Sequence, residues 1–415
     1  MNAGIQQSDA IIVGGGPVGG SLALALGQGG LSVTLVDRVG LDVMAAAPYD
    51  GRSSAIAFAS QRMLAQIGLW PSVEHAAEPI LDIRVSDGAS PLFLHYAHDD
   101  LGPALEGAPF GWIVENSAIR QGLAKQLGES STINVIAPAK AAGFVRDGGQ
   151  TVLHLDNGQS LSAPLLIAAD GTDSLLRTQA GIATTRWRYH QVGIVCTMAH
   201  DQPHDGIAHE RFLPSGPFAV LPMTDSPDGT HRSSIVWTER EKLAPAMMRL
   251  SDDDFSAEMQ RRFGDWYGDV RILGDRWSYP LRFLHAEDYV QDRFALVGDS
   301  AHTIHPIAGQ GLNLGLRDVA ALAEVVVDAR RLGLDYGLLS TLQRYERWRR
   351  VDNVSLMAVM NGLNQLFSND IAPLRLVRDL GMAAVNKMPG LKRIFMHHAM
   401  GTVGSLPRLL RGEAL

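Results

Sequence analysis

The chain has 415 residues, of which 46% are hydrophobic and 19% are charged. This composition is typical of a folded protein with a large core, either in two domains or in one domain with a substantial insertion, and it excludes a disordered chain. The formal net charge of −8 argues against nucleic acid as a general partner.

The single cysteine, Cys196, excludes internal disulfides and suits a reducing compartment. The first residues lack the basic segment of a secretory signal. No run of about 18 apolar residues occurs, so the sequence predicts no membrane-spanning helix. We therefore expect a cytoplasmic protein, with peripheral contact on the inner face of the membrane as an open alternative.

The first predicted element is a β–α–β unit, with strands at 9–13 and 32–36 and a helix at 18–28. The connecting turn has the pattern Gly-x-Gly-x-x-Gly, whose glycines serve a tight turn, close approach to a pyrophosphate and helix–strand packing. An acid at the end of the second strand is placed to accept hydrogen bonds from ribose hydroxyls. The unit predicts dinucleotide binding, with the candidate contacts Gly14, Gly16, Pro17, Val18, Gly19, Asp37 and Arg38.

Two later strands also end in a glycine beside an acid. The strand at 165–169 ends at Asp170-Gly171, and the strand at 294–297 ends at Gly298-Asp299. Taken alone, the first of these is equally consistent with a strand, a turn and a capped helix.

The segment after Asp299 is the most specific feature of the chain. It reads His305-Pro306-x-x-Gly309-Gln310-Gly311-x-Asn313-x-Gly315-x-x-Asp318. Glycines allow the backbone to approach a flat ligand closely. A helix starting near Gly311 presents unpaired N–H groups that suit negative charge, as on a reduced flavin.

This segment resembles the signature of the ubiquinone-biosynthesis hydroxylases, a branch of the FAD-dependent aromatic monooxygenases. The order of the three strand-end motifs is similar to theirs. The resemblance implies that Asp299 holds the ribityl chain, that Asp170 lies near the pyrophosphate, that Arg52 contacts phosphate or ribityl oxygens and that Asn116 faces the flavin. The cofactor contacts that it implies are Arg52, Asn116, Asp170, Gly171, Asp299, Pro306, Gly309, Gln310, Gly311, Leu312 and Asn313.

Residues 187–290 read as alternating strands separated by turn residues, with one helix at 252–262. In the resembling family such a sheet covers the flavin and supplies the substrate pocket. Most aromatic residues in a sheet are core residues, so each pocket candidate is individually weak. The candidates are Phe212, Pro217, Phe218, Trp237, Tyr279 and Leu281.

The expected fold class is α/β: a Rossmann-type FAD-binding domain with an inserted, mainly antiparallel β-sheet substrate domain and a C-terminal helical region. We expect the FAD-binding domain at 1–186 and 287–340, with part of 75–115 as a candidate portion of the substrate lobe. The substrate domain is expected at 187–286 and the helical region at 341–415.

The helical region carries 11 basic and 5 acidic residues after position 340. Its apolar positions Leu356, Val359, Met360, Leu363, Leu366 and Phe367 follow helix spacing. Basic residues follow at Arg375, Arg378, Lys387, Lys392 and Arg393. Ordinary packing against the FAD-binding domain is the favoured interpretation, and a membrane-surface element that receives a prenylated substrate is the alternative.

Other chemistries lack support in the sequence. There is no nucleophile elbow, no P-loop and no Cys–His zinc pattern, and His302 and His305 lie within the flavin-type loop. A second Gly-x-Gly-x-x-Gly is missing, so a nicotinamide nucleotide would bind transiently.

The resemblance implies hydroxylation of a polyprenylated phenol in ubiquinone biosynthesis. In this interpretation NAD(P)H reduces FAD, O₂ forms a C4a-hydroperoxide, and the flavin performs the hard step, so no catalytic side chain is assigned. A biosynthetic complex is a further candidate partner. The alternatives are an FAD monooxygenase of another aromatic or isoprenoid substrate, and a non-catalytic flavin-binding scaffold.

Overall fold

The computed structural model describes residues 6–88, 93–103, 105–367, 381 and 385–415. Its strands are β1 (Gln6–Gln7), β2 (Ala10–Val13), β3 (Val33–Val36), β4 (Ser53–Ala57), β5 (Ala77–Ile80), β6 (Asp82–Asp87), β7 (Phe93–Ala97), β8 (Gly111–Glu115), β9 (Ile133–Ile136), β10 (Ala141–Asp147), β11 (Gln150–Leu155), β12 (Ser160–Ala163), β13 (Leu166–Ala168), β14 (Thr184–His200), β15 (Ile207–Leu213), β16 (Gly216–Met223), β17 (His231–Arg240), β18 (Val270–Ala286), β19 (Val290–Gln291), β20 (Phe294–Leu296) and β21 (His302–Thr303).

The α-helices are α1 (Pro17–Gln28), α2 (Leu41–Ala45), α3 (Phe58–Gln66), α4 (Asn116–Glu129), α5 (Leu175–Gln179), α6 (Ala244–Met248), α7 (Asp252–Phe263), α8 (Gln310–Arg331), α9 (Leu339–Phe367), α10 (Pro389–Met400) and α11 (Arg408–Arg411). Short 3-10 turns cover Trp70–Ser72, Glu74–Ala76, His98–Leu101, Gly298–Ser300 and Ile307–Gly309.

The first large layer is a six-stranded sheet in the order β19-β20-β13-β2-β3-β9. All neighbours from β20 to β9 run parallel, and β19 joins β20 antiparallel. Strands β2, β3, β13 and β20 are buried throughout and apolar except for Thr34, as expected of parallel strands covered on both faces. This sheet is the Rossmann-type core that the first β–α–β unit predicts.

The second large layer is an eight-stranded sheet in the order β21-β18-β14-β17-β16-β15-β6-β7. It is antiparallel except for the parallel pair of β15 and β6. Six strands come from the region between 184 and 303, and β6 and β7 come from 82–97. The expected combination of a Rossmann-type core, an antiparallel sheet and C-terminal helices is confirmed.

One face of the eight-stranded sheet packs against α7. Phe218 and Trp237 lie in this core with Phe255 and Phe263, and both are fully buried. These two pocket candidates were wrongly assigned. Because side chains alternate along a strand, they point away from the face that carries Phe212.

Two smaller sheets complete the β-structure. Strands β1, β12, β11 and β10 form one, and β4, β8 and β5 form the other. The second of these carries Arg52 and Asn116 at its ends, because β4 pairs antiparallel with β8 so that Ser53 lies opposite Glu115.

The C-terminal region begins with α9, which packs against α8 and the parallel sheet. Tyr345 is buried, and its hydroxyl donates to the carbonyl of Leu296 at 2.8 Å. At the end of the chain, Leu409 and Leu410 of α11 return to the same core. Packing against the FAD-binding region is therefore confirmed for these described parts, while Arg375 and Arg378 lie outside the described residues.

The buried side of α9 differs in part from the predicted one. Asn353, Met357, Asn364 and Phe367 are buried, whereas Val359 and Leu366 are exposed at 52% and 42%. The prediction went wrong there because it followed apolar residues alone, and two asparagines occupy buried positions. Among the described residues, no helix is long and apolar enough to cross a membrane.

Candidate functional site

Four chain segments meet at one edge of the parallel sheet. The last residues of β2, β3, β13 and β20 are aligned, with Ala168 opposite both Val13 and Leu296 and with Val13 opposite Val36. Carboxyl ends of parallel strands share an edge, and ligands of such sheets bind there. The predicted motifs at Gly14, Asp37, Asp170 and Asp299 are therefore brought together by the fold.

The first turn is closed by backbone contacts. Gly14 has φ +109°, and a Cβ there would lie 2.2 Å from the carbonyl oxygen of Ala169. A Cβ at Gly19 would lie 1.9 Å from the Gly14 oxygen, so α1 sits directly on the turn. Pro17 occupies the first turn of α1, where its missing N–H costs no hydrogen bond.

Gly16 differs from these two glycines. A Cβ built at Gly16 would meet no atom within 4 Å, so the backbone here faces open space. The methyl groups of Val18 pack against Gly298 and Gly315. A Cβ on these glycines would lie 3.1 and 2.6 Å from them. Val18 therefore holds α1 against α8, and Gly16 is the residue that a ligand can approach.

Asp37 braces the same turn. Its carboxylate accepts from the N–H of Gly15 and, at 2.7 Å, from the N–H of Val39. Arg38 beside it is exposed. The carboxylate oxygens have further lone pairs, so Asp37 can accept from a ligand hydroxyl while it braces the turn.

Two acids lie at the strand ends, Asp299 exposed and Asp170 partly buried. Asp299 is exposed to solvent, yet the surrounding loops bury it enough to raise the pKa of its carboxyl, an effect that His302 partly offsets. Burial also raises the pKa of Asp170, whose Oδ1 has no hydrogen-bond partner among the described residues. Next to it, a Cβ on Gly171 would meet no atom within 4 Å.

Arg52 directly precedes β4, and its side chain contacts both Asp50 and Trp277. Its Nε and Nη2 donate to Asp50 at 3.1 and 2.6 Å, and its guanidinium lies 5.6 Å from the ring centre of Trp277. Arg120 also donates to Asp50, at 2.9 Å. Burial favours the neutral form of Asp50, but the two arginines outweigh it and lower its pKa. Asp50 was not predicted as a site residue; its only local signal was Arg52 two residues later, because Arg120 lies 70 residues away in the sequence.

Asn116 begins α4 and is tied to the same strand. Its carbonyl oxygen accepts from the Ser54 hydroxyl at 2.7 Å, and its backbone N–H donates to the Arg52 carbonyl at 3.0 Å. These bonds leave the amide nitrogen of Asn116 as its free donor group among the described residues.

The start of α8 faces the site. Pro306 precedes a short turn, Gly309 has φ +62° with Ala55 close beside it, and α8 begins at Gln310. A Cβ on Gly311 would meet no atom within 4 Å, whereas Leu312 packs partly into the core. The first N–H groups of a helix have no partner within it, so this opening suits an anionic or electron-rich ligand edge.

The Asn313 side chain has a structural task. It accepts from Ala57 N–H at 2.8 Å and donates to the Ala55 carbonyl at 2.9 Å and to the Gly309 carbonyl at 3.2 Å. Its carboxamide therefore fastens β4 to α8 and is not open to a ligand, so the structure gives the Asn313 side chain a structural role.

Behind the loop lies a buried charged cluster centred on Asp318. Its carboxylate accepts from Gly298 N–H at 3.1 Å, from the His302 ring and from Arg349 Nε at 3.0 Å. Burial alone would raise the pKa of Asp318, but His302 and Arg349 hold it at about 2. Sequence reasoning missed Arg349, although it occupies a position in α9 that helix spacing from Tyr345 marks as buried.

His305 is fully buried, and neither ring nitrogen has a hydrogen-bond partner among the described residues. Its ring lies edge-on to Tyr189 at 5.0 Å, and burial lowers its pKa to about 4. A neutral imidazole here packs the loop against the eight-stranded sheet. The described residues form no cluster that would hold a metal ion.

These features fit FAD. The open faces at Gly16, Gly171 and Gly311 lie along one edge of the sheet, and the unpartnered Asp170 oxygen and the exposed Asp299 carboxylate are acceptors for hydroxyl groups. A dinucleotide with a polyol chain supplies such hydroxyls together with a pyrophosphate and a flat ring.

Comparison with known proteins agrees with this geometry. A family model described as an FAD binding domain matches residues 7–331. The chain is 49% identical over 411 residues to a ubiquinone hydroxylase, UbiL, of Rhodospirillum rubrum, covering 98% of this chain and 94% of that relative. It is 33% identical to 3-demethoxyubiquinol 3-hydroxylase of Escherichia coli, covering 95% and 99%. The crystal structure of p-nitrophenol 4-monooxygenase PnpA of Pseudomonas putida shares the fold, with a TM-score of 0.78 at 18% identity over 97% of this chain and all of that one.

Proposed function

The chain belongs to the FAD-binding-domain family and, within it, to the ubiquinone-biosynthesis hydroxylases, and from this premise we propose that it hydroxylates the aromatic ring of a polyprenylated phenol. The oxygen atom comes from O₂ and the two electrons come from NAD(P)H. The reaction is assigned from the relatives, and the site supports it.

The observation that carries the proposal is the contact between the loop and the sheet. Ile307, between Asp299 and α8, packs with Phe212 of β15 and Phe367 of α9. The sheet face beside the flavin-type loop is therefore lined by apolar and aromatic side chains, which suits a phenol with an isoprenoid tail.

The chain's own residues would bind and orient the cofactor. Gly16 would leave the start of α1 open to the pyrophosphate, and Asp170 and Asp299 would accept hydrogen bonds from the hydroxyls of the cofactor. The first N–H groups of α8, at Gly311 and Leu312, would stabilise negative charge on the flavin ring. When bound, reduced FAD supplies two electrons and activates O₂, while the covering sheet excludes water.

Anaerobic mixing of the FAD-loaded protein with NAD(P)H tests the proposal, with and without a short-chain prenylphenol. We expect flavin bleaching that the phenol accelerates, and a ring-hydroxylated product after O₂ is added. Turnover of soluble phenols with no turnover of prenylphenols would favour another aromatic substrate. Bound FAD that NAD(P)H does not reduce would favour a non-catalytic scaffold.

We also infer that the outer side of α9 contacts a membrane surface from which the substrate arrives. With about 3.6 residues per turn, Val351, Val354, Val359 and Leu366 share one side of α9, opposite the buried Asn353 and Asn364. On α10, Ile394 and Phe395 are exposed beside Arg393. Exposed apolar residues near basic ones are typical of interfacial helices.

Liposome flotation tests this inference with the variant Val354→Ser/Val359→Ser. Leu332→Ser is the matched control, since Leu332 is 71% exposed at the end of α8. We expect the double variant to partition less into anionic vesicles and the control to bind like the parent. Equal binding of all three proteins would contradict membrane contact through α9. Removal of the whole C-terminal region is unsuitable, because Tyr345 and Leu410 belong to the core.

A further inference from the structure

Glu210 lies on β15, on the side of the eight-stranded sheet that faces the flavin-type loop. Along this strand His209 and Arg211 point toward α7, where they bond to Tyr267 and to the carbonyls of Arg262 and Phe263. Side chains alternate along a strand, so Ala208, Glu210 and Phe212 share the opposite side.

The neighbours of Glu210 on that side mark its position. Phe212 packs with Ile307 of the loop, and Ala208 belongs to the cluster that includes Ala55 of β4, beside Gly309. Residues two apart on a strand lie about 7 Å from each other. Glu210 therefore stands beside the end of the loop that leads into α8, between Phe212, which packs with Ile307, and Ala208, which packs in the cluster of Ala55.

The strands beside β15 place an apolar surface around Glu210. Val85 of β6 and Ala219 of β16 lie directly opposite it. The ionisable groups on the same side of the neighbouring strands are Asp87 and Tyr96. From the elements above, Ala55, Ile307 and Met360 face this side and none is charged.

Glu210 makes no hydrogen bond and no ion pair with any described residue, although it is partly buried. Burial raises the pKa of its carboxyl to about 7. Its carboxyl is therefore half-buried beside apolar side chains, has no partner among the described residues, and can still be reached by another group. We infer that the hydrogen-bond partner of Glu210 is a group of the bound ligand.

We propose that Glu210 is the general base of the hydroxylation and that its carboxylate accepts the proton of the substrate's phenolic hydroxyl. The proposal rests on the proposed function, since it requires a phenol in this site. It adds a catalytic side chain to a reaction for which the sequence alone assigned none.

The proton transfer balances within the reaction. As the O–H proton moves to Glu210, the phenolic oxygen donates electron density to the ring carbons ortho and para to it. One such carbon forms a bond to an oxygen atom from O₂ and then loses its hydrogen as a proton, which restores the aromatic ring. The second oxygen atom leaves as water, NAD(P)H supplies the two electrons, and Glu210 returns its proton to the phenolic oxygen.

The test compares Glu210→Gln with the parent protein across pH, by single-turnover formation of hydroxylated product from a short-chain prenylphenol. The parent rate should fall as the pH is lowered through about 7, because only the carboxylate accepts a proton. The variant should be slower by about 10²-fold or more at pH 8, should lack this acid limb, and should recover as the pH approaches the phenol's own pKa of about 10.

Two controls separate catalysis from damage to the pocket. The first is Glu239→Gln on β17, which points to the α7 side and bonds to Arg262, and should keep the parental pH profile. The second is equilibrium binding of the O-methyl ether of the same prenylphenol, which has no proton to give. Its Kd should be the same in Glu210→Gln and in the parent, whereas the Kd of the phenol should rise in the variant.

The outcomes are distinct. A parent protein that binds FAD but hydroxylates no prenylphenol would remove the proposed function. A parent that hydroxylates, together with a Glu210→Gln variant of equal rate and unchanged acid limb, would remove Glu210 from the reaction while the function stands. Loss of ether binding in the variant would assign Glu210 to pocket shape and would also overturn the proposal.

Discussion

The two sides of the loop between Gly298 and Gln310 use carboxylates in opposite ways. Behind the loop, Asp318 is fully buried and bonded to Gly298, His302 and Arg349. In front of it, Asp299 lies open at the strand end. The charged cluster behind the loop lowers the pKa of Asp318 to about 2, whereas burial in front of the loop raises the pKa of Asp299.

The difference shows how an open ligand site is kept in shape. A carboxylate with raised pKa and no strong partner is unfavourable in the folded chain, so it persists only where the surroundings hold it. The cluster at Asp318 joins three elements to the loop: the strand end at Gly298, helix α8 and helix α9. We infer that the Asp318 cluster behind the loop stabilises the folded protein, whereas Asp299 in front of the loop contributes to ligand affinity.

The largest expected effect is a loss of stability when the charged cluster around Asp318 is changed. Asp318→Asn removes the negative charge that Arg349 and His302 share, and loss of one member of a buried charged cluster costs about 3–5 kcal/mol. We expect a clearly lower Tm of the cofactor-free protein by calorimetry. The matched control is Asp352→Asn, because Asp352 binds the same Arg349 at 2.8 Å but is 33% exposed. The control should cost at most about 1 kcal/mol. Similar losses in both variants would contradict the assigned role of the buried cluster.

A change at Asp299, in front of the loop, should alter the affinity for FAD. Asp299→Asn removes a charged acceptor, and a hydrogen bond to a charged group contributes about 1.5–3 kcal/mol, so the Kd for FAD should rise about tenfold to a hundredfold. The cofactor-free protein should keep its Tm or gain slightly, because the unfavourable burial of the charge is relieved. Fluorescence titration with FAD and calorimetry measure the two quantities. Unchanged FAD affinity with a lowered Tm would mean that Asp299 stabilises the fold, as Asp318 does, and does not bind the cofactor.

Acid sharpens the same contrast. The folded-state pKa of Asp318 lies below its ordinary value of 3.8, so its stabilisation is complete above about pH 4 and is lost as the pH falls toward 2. A depression to about 2 corresponds to about 2 kcal/mol. The acid-induced loss of Tm between these pH values should shrink in Asp318→Asn. If parent and variant lose Tm in parallel, other carboxylates govern the acid unfolding.

The smallest effect is expected at the edge of the front. Ser54→Ala removes the 2.7 Å hydrogen bond to Asn116, and a single neutral hydrogen bond is worth about 1 kcal/mol. The Tm should fall only slightly, and FAD affinity should drop less than in Asp299→Asn. A larger loss of affinity than at Asp299 would mean that the orientation of Asn116 governs the cofactor site.

The sequence by itself determined the Rossmann-type unit, the order of the three strand-end motifs and the family. These features are local: a Cβ at Gly14 would meet the Ala169 carbonyl, and the start of α8 at Gly311 is an open backbone segment at a fixed distance from the strand end. Strand and helix bounds in these regions were accurate to within a residue or two.

Tertiary structure decided the partners and the sides. It showed that Asn313 fastens β4, that Phe218 and Trp237 belong to the α7 core, and that Val359 and Leu366 lie outside. Strand alternation separates two faces but does not tell which one is core, and helix spacing does not reveal that Arg349 meets Asp318 across 31 residues. The position of Glu210 beside the loop likewise depends on pairing between distant strands, which no local pattern encodes.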